Sequence, residues 1–358
     1  MTTRSNLVCS LLCALSINIG MSTTALAAEK TEFNVAWSIY VGWMPWDYID
    51  KNGIMKKWAD KYGIHVKFVQ INDYVESINQ YTAGKFDACV MTNMDALTIP
   101  AAGGVDSTAL IVGDFSNGND GIILKGKDKK LADIKGQKVN LVELSVSHYL
   151  LARALSTVKM TEKDLKTVNT SDADIVAAFG SSDVTSVVTW NPQLSTIKAE
   201  PNATLVFNSS QIPGEIIDAM VVNTQVMSDN PKLAKALTGA WYEMMVLMNG
   251  DAAKSKPVRE FMAKASGTDL AGFDSQLKTT RMFYQASDAV TFTRGQELAN
   301  TMDHVRKFSF DHGLLGEGAK SVDVVGIAFP GGKMLGDSKN VKLRFDETYM
   351  ALAAEGKL

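Results

Sequence analysis

Residues 84–93 read GKFDACVMTN, and residues 180–191 read GSSDVTSVVTWN. Each stretch begins with a glycine that ends a predicted helix, has an aspartate three residues later, and continues into an apolar strand that reaches an asparagine. The repeated pattern predicts two α/β lobes of similar design. The competing interpretation is coincidence between two ordinary helix-to-strand turns, which are common in α/β proteins.

Strand and helix patterns alternate on both sides of the first stretch. Residues 33–39 are rich in β formers, Pro45 begins a helix that continues to Tyr62, and Asp73 caps a helix that ends at Gly84. The same order returns further along, with a strand over 137–142, helices over 147–155 and 171–180, and a strand over 184–189. This alternation predicts a parallel sheet with helices on both faces.

After Pro231 strand patterns become rare, and helical patterns dominate the rest of the chain. No low-complexity linker separates the lobes, so the chain must cross between them through structured segments, near 114–120 and near 218–222. Two crossings make a hinge. The predicted organisation is a signal peptide over 1–27, one lobe formed by 28–117 together with 222–358, and a second lobe formed by 118–221.

The first residues have the three parts of a secretory signal peptide. Arg4 is the only charged residue before Glu29, and the apolar run over 7–19 is shorter than the about 20 residues that a spanning helix needs. Small residues then lead to the tripeptide ALA at 25–27. We therefore expect cleavage after this tripeptide and export of the mature chain; the competing interpretation is a buried core helix.

The composition of the 358-residue chain excludes several classes of protein. With 46% hydrophobic and 21% charged residues the chain is globular, and a net charge of -3 argues against nucleic-acid binding. The four histidines lack metal-site spacing, and Cys89 has no base near it in the sequence, so neither a metal site nor a catalytic nucleophile is expected. Asp128 replaces the hydroxyl residue that would complete a phosphate loop, so no cofactor is expected.

An aromatic cluster surrounds the end of the first predicted strand, with Trp37, Tyr40, Trp43, Trp46 and Tyr48 close together in the sequence. Core packing accounts for Trp37 and is the competing role for Trp46. Trp43 lies in the loop that leaves the carboxyl end of the strand, where open α/β sheets bind ligands. A tryptophan face at that place favours a cation or a flat ligand.

Polar side chains at other predicted cleft edges leave the charge of the ligand open. Ser145 and Ser147 begin a helix, where hydroxyls and free backbone amides either form a cradle for an anion or simply cap the helix. Acidic side chains also occur at these edges: Asp95, Asp114, Asp120 and Glu143. A buried unpaired carboxylate is costly, so these acids favour a cationic ligand unless they are solvated.

Four runs of sequence together resemble a known family: 83–88, 131–139, 145–151 and 190–192. Their order and spacing, within residues 33–247, resemble the nitrate/sulfonate/taurine-type substrate-binding proteins of ABC importers. The run WSIYVGWMPW at 37–46 resembles the branch of that family linked to urea carboxylase and guanidine use.

The resemblance implies an α/β protein with the type II periplasmic-binding fold: two α/β lobes, a two-crossing hinge and a helical C-terminal region. It implies a periplasmic protein, which we expect to be a monomer, that captures a small solute and catalyses no reaction. The solute would pass to an ABC permease driven by a separate ATPase. Guanidinium or a urea-like solute, taken up for nitrogen, suits the acids and tryptophans. A small sulfonate or nitrate-like anion, and a thiamin-related enzyme on the same fold, are the alternatives.

The candidate ligand contacts follow from these patterns and from the resemblance. Planar guanidinium is held by a carboxylate at its edge and by an indole on its face. The candidate walls are Trp43, Trp46 and Trp190, the candidate acceptors are Asp95, Asp114, Glu143 and Asp218, and the candidate polar contacts are Thr92, Asn93, Ser145 and Ser147.

Overall fold

The computed structural model describes residues 30–316 and 318–358, so the predicted signal peptide lies outside the described residues. Residues Thr31–Leu358 form one compact unit. None of the described helices is both long enough and apolar enough to span a bilayer.

Strands and helices alternate through the first part of the described chain, and helices dominate afterwards. The strands are β1 Glu32–Trp37, β2 His65–Gln70, β3 Ala88–Thr92, β4 Ser107–Ser116, β5 Asp120–Lys125, β6 Lys138–Leu141, β7 Lys166–Asn169, β8 Ser186–Trp190, β9 Ala203–Asn208, β10 Ile217–Asn223, β11 Thr280–Met282, β12 Gly326–Ala328, β13 Met334–Leu335 and β14 Val341–Phe345. The helices are α1 Met44–Lys51, α2 Ile54–Tyr62, α3 Tyr74–Thr82, α4 Asn93–Ala96, α5 Val146–Thr157, α6 Ile175–Gly180, α7 Gln193–Lys198, α8 Thr224–Asp229, α9 Pro231–Met248, α10 Ala252–Ala265, α11 Leu270–Leu277, α12 Ala286–Arg294, α13 Gln296–Asp311 and α14 Thr348–Ala354. Short 3-10 or π turns cover Leu97–Ala101, Leu131–Ile134, Glu162–Asp164, Ser209–Gln211 and Pro330–Gly332.

The larger sheet has the strand order β13-β12-β14-β4-β10-β3-β1-β2, and β11 also pairs with β4. As the alternation predicts, β1 runs parallel to both β2 and β3. In contrast, β10 runs antiparallel to β3 and β4. The sheet is therefore mixed rather than wholly parallel, because β10 arrives directly from the smaller sheet and not through a helical crossover.

The smaller sheet has the order β7-β6-β8-β5-β9. In it, β8 runs parallel to β6 and antiparallel to β5, just as β3 in the larger sheet runs parallel to β1 and antiparallel to β10. The two repeated stretches of sequence thus occupy equivalent places in the two sheets. This equivalence gives the fold two lobes, the large lobe built on the larger sheet and the small lobe built on the smaller one.

The chain passes between the lobes twice in the described residues. It leaves the larger sheet between Ser116 and Asp120 and returns between Asn208 and Ile217. The first passage lies inside the predicted crossing near 114–120. The return lies before the predicted crossing near 218–222, because those residues belong to β10 and pair with both β3 and β4.

Local backbone geometry accounts for the differences between predicted and observed helices. The predicted helix from Pro45 to Tyr62 is two helices, α1 and α2, because Gly53 between them has a φ of 76°. Asp73 caps α3 as predicted, with its side chain accepting a backbone N–H of the first turn. Ser171 does not cap α6, which begins one turn later.

Candidate ligand-binding site

A pocket lies between the two sheets, where strands from both come to an end. Open α/β sheets bind ligands at the carboxyl ends of their parallel strands, so the topology itself marks this place. The space that a water-sized sphere can occupy in it is about 10 Å³, so the pocket as it stands suits only a very small solute. Its lining residues are Tyr40, Trp43, Tyr74, Thr92, Asp120, Val146, Trp190, Ile216 and Asp218.

Aromatic rings form the walls of the pocket. The ring of Tyr74 lies 5.5 Å from the ring of Trp43, tilted by 35°, and 5.5 Å from the ring of Trp190, nearly perpendicular at 76°. Trp43 also meets Tyr40 edge-on at 5.0 Å. All four side chains are buried, so the rings exclude water and present flat faces to a solute.

Asp114 and Asp218 form an acidic pair in the large lobe. They are cross-strand partners on β4 and β10, and the Tyr40 hydroxyl donates to Asp114 Oδ1 at 3.1 Å. The two buried carboxyl groups also hydrogen-bond each other. Burial raises the pKa of Asp114 to about 7, and burial together with the charge of Asp114 raises the pKa of Asp218.

Asp120 adds a carboxylate from the small lobe. Its Oδ2 accepts a hydrogen bond from the Ser116 hydroxyl at 2.5 Å, and its backbone N–H donates to the same hydroxyl at 3.2 Å. Burial raises the pKa of Asp120 to about 7. The first passage between the lobes therefore holds this carboxylate against the pocket wall.

Asp95 lies behind the pocket lining and orients two lining residues, Tyr74 and Thr92. It accepts hydrogen bonds from the Tyr74 hydroxyl at 2.7 Å and from the Thr92 hydroxyl at 2.9 Å. The Thr92 backbone N–H also donates to the Tyr74 hydroxyl at 3.0 Å. Burial raises the pKa of Asp95 to about 6, and the hydrogen bonds only partly offset this effect.

The ionisable side chains of the pocket lining are acidic, apart from the two tyrosines. Among the described residues that line it there are two carboxylates and no lysine, arginine or histidine. Because these carboxylates are buried, water screens their charge poorly. The arrangement can therefore hold a small, flat solute that brings N–H donors to the carboxylates and faces to the aromatic rings.

The structure brings together six of the sequence-predicted site residues. Trp43, Thr92, Trp190 and Asp218 line the pocket. Asp114 and Asp95 are one hydrogen bond behind the lining, through Tyr40 and Tyr74 respectively.

Two predicted contacts lie deeper than the pocket lining. The Trp46 ring stacks between Phe68, at 5.3 Å, and Trp241, at 4.8 Å, so its role is core packing. The Asn93 side chain donates to a backbone carbonyl and accepts a backbone N–H from the returning hinge segment, both at 3.1 Å. Asn93 therefore fastens the hinge to the large lobe.

Three predicted contacts near the start of α5 are also outside the lining. The Ser145 hydroxyl caps α5 by accepting the backbone N–H of Ser147 at 3.2 Å. The Ser147 hydroxyl is buried and has no partner among the described residues. Glu143 lines a separate outer cleft with Glu76 and Asp172, where it is partly exposed.

Tyr40, Tyr74 and Asp120 line the pocket but are not among the candidate contacts chosen from the sequence. Both tyrosines follow the carboxyl ends of parallel strands, so the rule that selects Trp43 selects them too. Asp120 begins an antiparallel strand, which that rule does not cover.

A cluster outside the pocket has the residue types of a metal site. The ligand atoms of His148, Glu162 and His312 lie within 4.8 Å of one another. Glu162 accepts from His312 Nε2 at 2.5 Å and contacts His148 Nε2 with its other oxygen. The Leu144 backbone N–H donates to His148 Nδ1 at 3.0 Å, so the proton of neutral His148 lies on Nε2, facing the carboxylate. A metal ion would have to displace that proton, so the geometry favours a hydrogen-bonded clasp of Glu162 by two histidines.

Comparison with solved structures shows what the fold is similar to. The alkanesulfonate-binding protein of Xanthomonas axonopodis pv. citri, bound to MOPS, superposes with a TM-score of 0.64 and 16% identity, covering 81% of this chain and 96% of that one. The nitrate-binding protein of Synechocystis PCC 6803 superposes with a TM-score of 0.61 and 15% identity, covering 92% and 89%. At such identities the likeness establishes the fold alone, which is that of periplasmic binding proteins.

Comparison with curated and family sequences places the chain in a family. A protein of Brucella abortus, named only as a binding protein, is 25% identical over 202 residues, which is 56% of this chain and 61% of that protein. The match thus spans less than two thirds of the relative's length. The family model described as NMT1/THI5 like matches residues 53–243. This chain therefore belongs to the NMT1/THI5-like family.

Proposed function

We propose that this protein is the periplasmic substrate-binding component of an ABC importer and that it captures a small nitrogenous solute, guanidinium or urea-like. It acts as a monomer, catalyses no reaction, and delivers the solute to a membrane permease that a separate ATPase drives. The periplasmic-binding fold and the family support the general role. The predicted signal peptide is consistent with the location.

One observation carries the choice of solute. The pocket combines aromatic faces with carboxylate oxygens, and its described lining residues include no basic side chain. A planar molecule with N–H groups along its edges matches both features, because its edge donates to Asp120 and Asp218 while its face packs on Trp43 or Trp190. An anion would meet these buried carboxylates without a compensating positive charge.

An anion receptor is the second candidate function. The proteins with similar folds are named for alkanesulfonate and nitrate, and the buried Ser147 hydroxyl at the start of α5 has no partner among the described residues. Of the helix-start groups, however, Ser145 is already occupied as a cap, and only Val146 lines the pocket. These contacts favour the nitrogenous solute over the anion.

An enzymatic role receives no support from the cysteine. Cys89 is fully buried in β3 and does not line the pocket. Burial raises the pKa of its thiol to about 12, so the reactive thiolate is not populated at neutral pH.

Titration calorimetry of the mature protein with guanidinium, urea, taurine and nitrate tests the proposal. We expect heat of binding with guanidinium or urea, and loss of that heat in Trp43→Ala and Trp190→Ala. Trp58→Ala is the control, since Trp58 lies outside the pocket. Binding of taurine or nitrate without binding of guanidinium or urea would replace this proposal with the anion receptor.

A further inference from the structure

Helix α13 joins the large lobe to the small lobe through side-chain contacts, in addition to the two passages of the chain. In its first half it is fixed to the large lobe, where Met302 accepts a hydrogen bond from the Asn93 amide at 3.5 Å and the helix packs against α4 and α12. The Thr301 hydroxyl donates to the backbone carbonyl of Gly214, in the returning hinge segment, at 3.1 Å. We call residues 296–312, which are α13 and the histidine that follows it, the strap.

The far end of the strap lies against the small lobe. The Phe308 ring meets the Tyr149 ring of α5 edge-on at 5.2 Å, and the His312 ring stacks on Phe308 at 4.0 Å. His312 Nε2 contacts Glu162, in the turn after α5, at 2.5 Å, and His148 of α5 contacts the other oxygen of the same carboxylate. Because α5 packs on β5 and β8, separation of the lobes must either break these contacts or pull the strap away from α4.

The hydrogen bonds of His312 require it to carry a positive charge. Its Nδ1 lies 2.8 Å from the backbone carbonyl oxygen of Phe308, and its Nε2 lies 2.5 Å from Glu162. Burial acts to raise the pKa of Glu162, but hydrogen bonds from His148 and His312 bring this pKa below its ordinary value, so the carboxylate is ionised at neutral pH. Carbonyl and carboxylate oxygens only accept, so both nitrogens of His312 donate, and only the imidazolium form has two N–H groups.

His148 contacts the same carboxylate without needing a charge. Its Nδ1 accepts the backbone N–H of Leu144 at 3.0 Å, which leaves one proton, on Nε2, for Glu162. A second proton, on Nδ1, would face an N–H donor, so the geometry suits the neutral ring. The clasp therefore contains one ion pair, between Glu162 of the small lobe and His312 of the strap.

The titratable groups that face His312 are Glu162, in the turn after α5, and His148, on α5, whose ring lies 5.5 Å away. On the strap itself, Asp311 is next in the chain and His304 lies two turns earlier, and both are exposed. The side chain of His312 is 22% exposed, so it can exchange protons with water. Histidine is the side chain whose charge ordinarily changes near neutral pH, so His312 is the member of the clasp that responds when the pH rises past neutrality.

We propose that the strap is a pH-sensitive latch between the lobes, closed by the ion pair between Glu162 and charged His312. When His312 loses its second proton, it keeps one of its two hydrogen bonds and loses its attraction to Glu162, so the lobes separate more easily. The latch is therefore strongest at mildly acidic pH, where Glu162 is ionised and His312 is charged, and it weakens as the pH rises above neutrality. The inference does not depend on the identity of the solute.

Small-angle X-ray scattering of the mature protein without solute tests the latch, at pH 6 and pH 9 and with EDTA present so that no metal ion bridges the cluster. A compact chain of this length has a radius of gyration of about 20 Å, and we expect an increase of about 1 Å from pH 6 to pH 9. The pocket acids Asp114 and Asp120 also ionise in this range, so variants of the clasp are needed to isolate its effect. His312→Gln keeps an N–H donor without a charge, and we expect a larger radius than that of the natural protein at pH 6 and the same radius at pH 9.

Two further variants separate the charge of the latch from its packing. His312→Arg keeps a permanent cation with N–H donors, so its radius at pH 9 should be smaller than that of the natural protein. His65→Gln is the control, since the exposed pair of His65 and Glu32 lies within the larger sheet, and it should match the natural protein at both pH values.

Three results would overturn the latch. They are equal radii for the natural protein and His312→Gln at pH 6, a change in His65→Gln as large as that in His312→Gln, and a His312→Arg variant no more compact than the natural protein at pH 9. Circular dichroism establishes that each variant is folded. Glu162→Gln, which removes the other charge and should also enlarge the radius at pH 6, provides the test if His312→Gln fails to fold.

Discussion

The molecule contains two groups of buried acids that differ in their partners. At the pocket, Asp120 and Asp218, with Asp114 directly behind the lining, lack a cationic partner among the described residues, and burial raises their pKa values. Behind the hinge, Glu215 accepts from Arg153 Nε at 2.7 Å and from Arg153 Nη2 at 2.8 Å. Burial acts to raise the pKa of Glu215, but hydrogen bonds from Arg153 and Tyr149 bring this pKa below its ordinary value.

The comparison teaches that burial alone does not identify a binding site. Glu215 is partly buried and has its cation built into α5, so it ties the returning hinge segment to the small lobe. Glu162, between His148 and His312, is a further acid whose pKa is lowered by its partners against the effect of burial. An acid that stays buried without a cation destabilises the folded state, and a protein retains such an acid where a ligand supplies the charge.

The largest expected effect is on how the stability of the empty protein depends on pH. The folded-state pKa of Asp114 and of Asp120 is about 7, above the value in the unfolded chain, so their penalty is absent at low pH and grows as pH rises towards 7. Glu215 acts in the opposite direction, because its lowered pKa gives stability above its ordinary pKa that is lost as pH falls below it. We expect maximum stability near pH 4 and a loss of about 5 kcal/mol between pH 5 and pH 8.

Differential scanning calorimetry is the appropriate measurement, because urea and guanidinium, the usual denaturants, are the candidate ligands. Saturating guanidinium at low concentration should remove most of the loss between pH 5 and pH 8. A flat profile over that range would mean that the pocket acids already have partners in the empty protein.

Much of the architecture follows from the sequence because it depends on local patterns. The repeated glycine–aspartate–strand motif at 84–93 and 180–191 predicts two lobes, and the carboxyl-end rule locates Trp43 in the pocket wall. Where the chain returns to the larger sheet does not follow from local patterns, since the pairing of β10 with β3 and β4 is a long-range property.

The identity of the buried acids does not follow from the sequence. Asp114 and Glu143 both follow apolar residues near a strand end, yet Asp114 is fully buried and Glu143 lies in the outer cleft. Alternate residues of a strand point to opposite faces, and burial depends on which element covers each face. The clasp of Glu162 by two histidines cannot be predicted from the sequence either, because its three residues are far apart in the chain.

The next largest expected effect concerns Glu215 and its partner Arg153. Arg153→Ala removes two of the three side-chain donors to Glu215 and leaves a partly buried carboxylate with only the Tyr149 hydroxyl, so we expect the free energy of unfolding at pH 7 to fall by about 2 kcal/mol. Lys56→Ala is the control, since its ion pair with Asp60 is exposed and should contribute less than about 0.5 kcal/mol. Calorimetry of both variants measures the difference, and equal effects would show that Arg153 acts no differently from a surface charge.

The smallest expected effect has the opposite sign. Asp114→Asn removes a buried charge that has no cation beside it and gives the side chain an N–H donor opposite Asp218, so we expect the empty protein to gain about 1 kcal/mol at pH 8. At pH 4 the native carboxyl is already protonated and the gain should vanish, because the pKa of Asp114 is about 7. Glu162→Gln, the matched change at a paired acid, should lose stability at pH 8. If Asp114→Asn is more stable when empty but binds guanidinium more weakly, Asp114 is retained for the solute and not for the fold. If Asp114→Asn is instead less stable at pH 8, Asp114 stabilises the fold as Glu162 and Glu215 do.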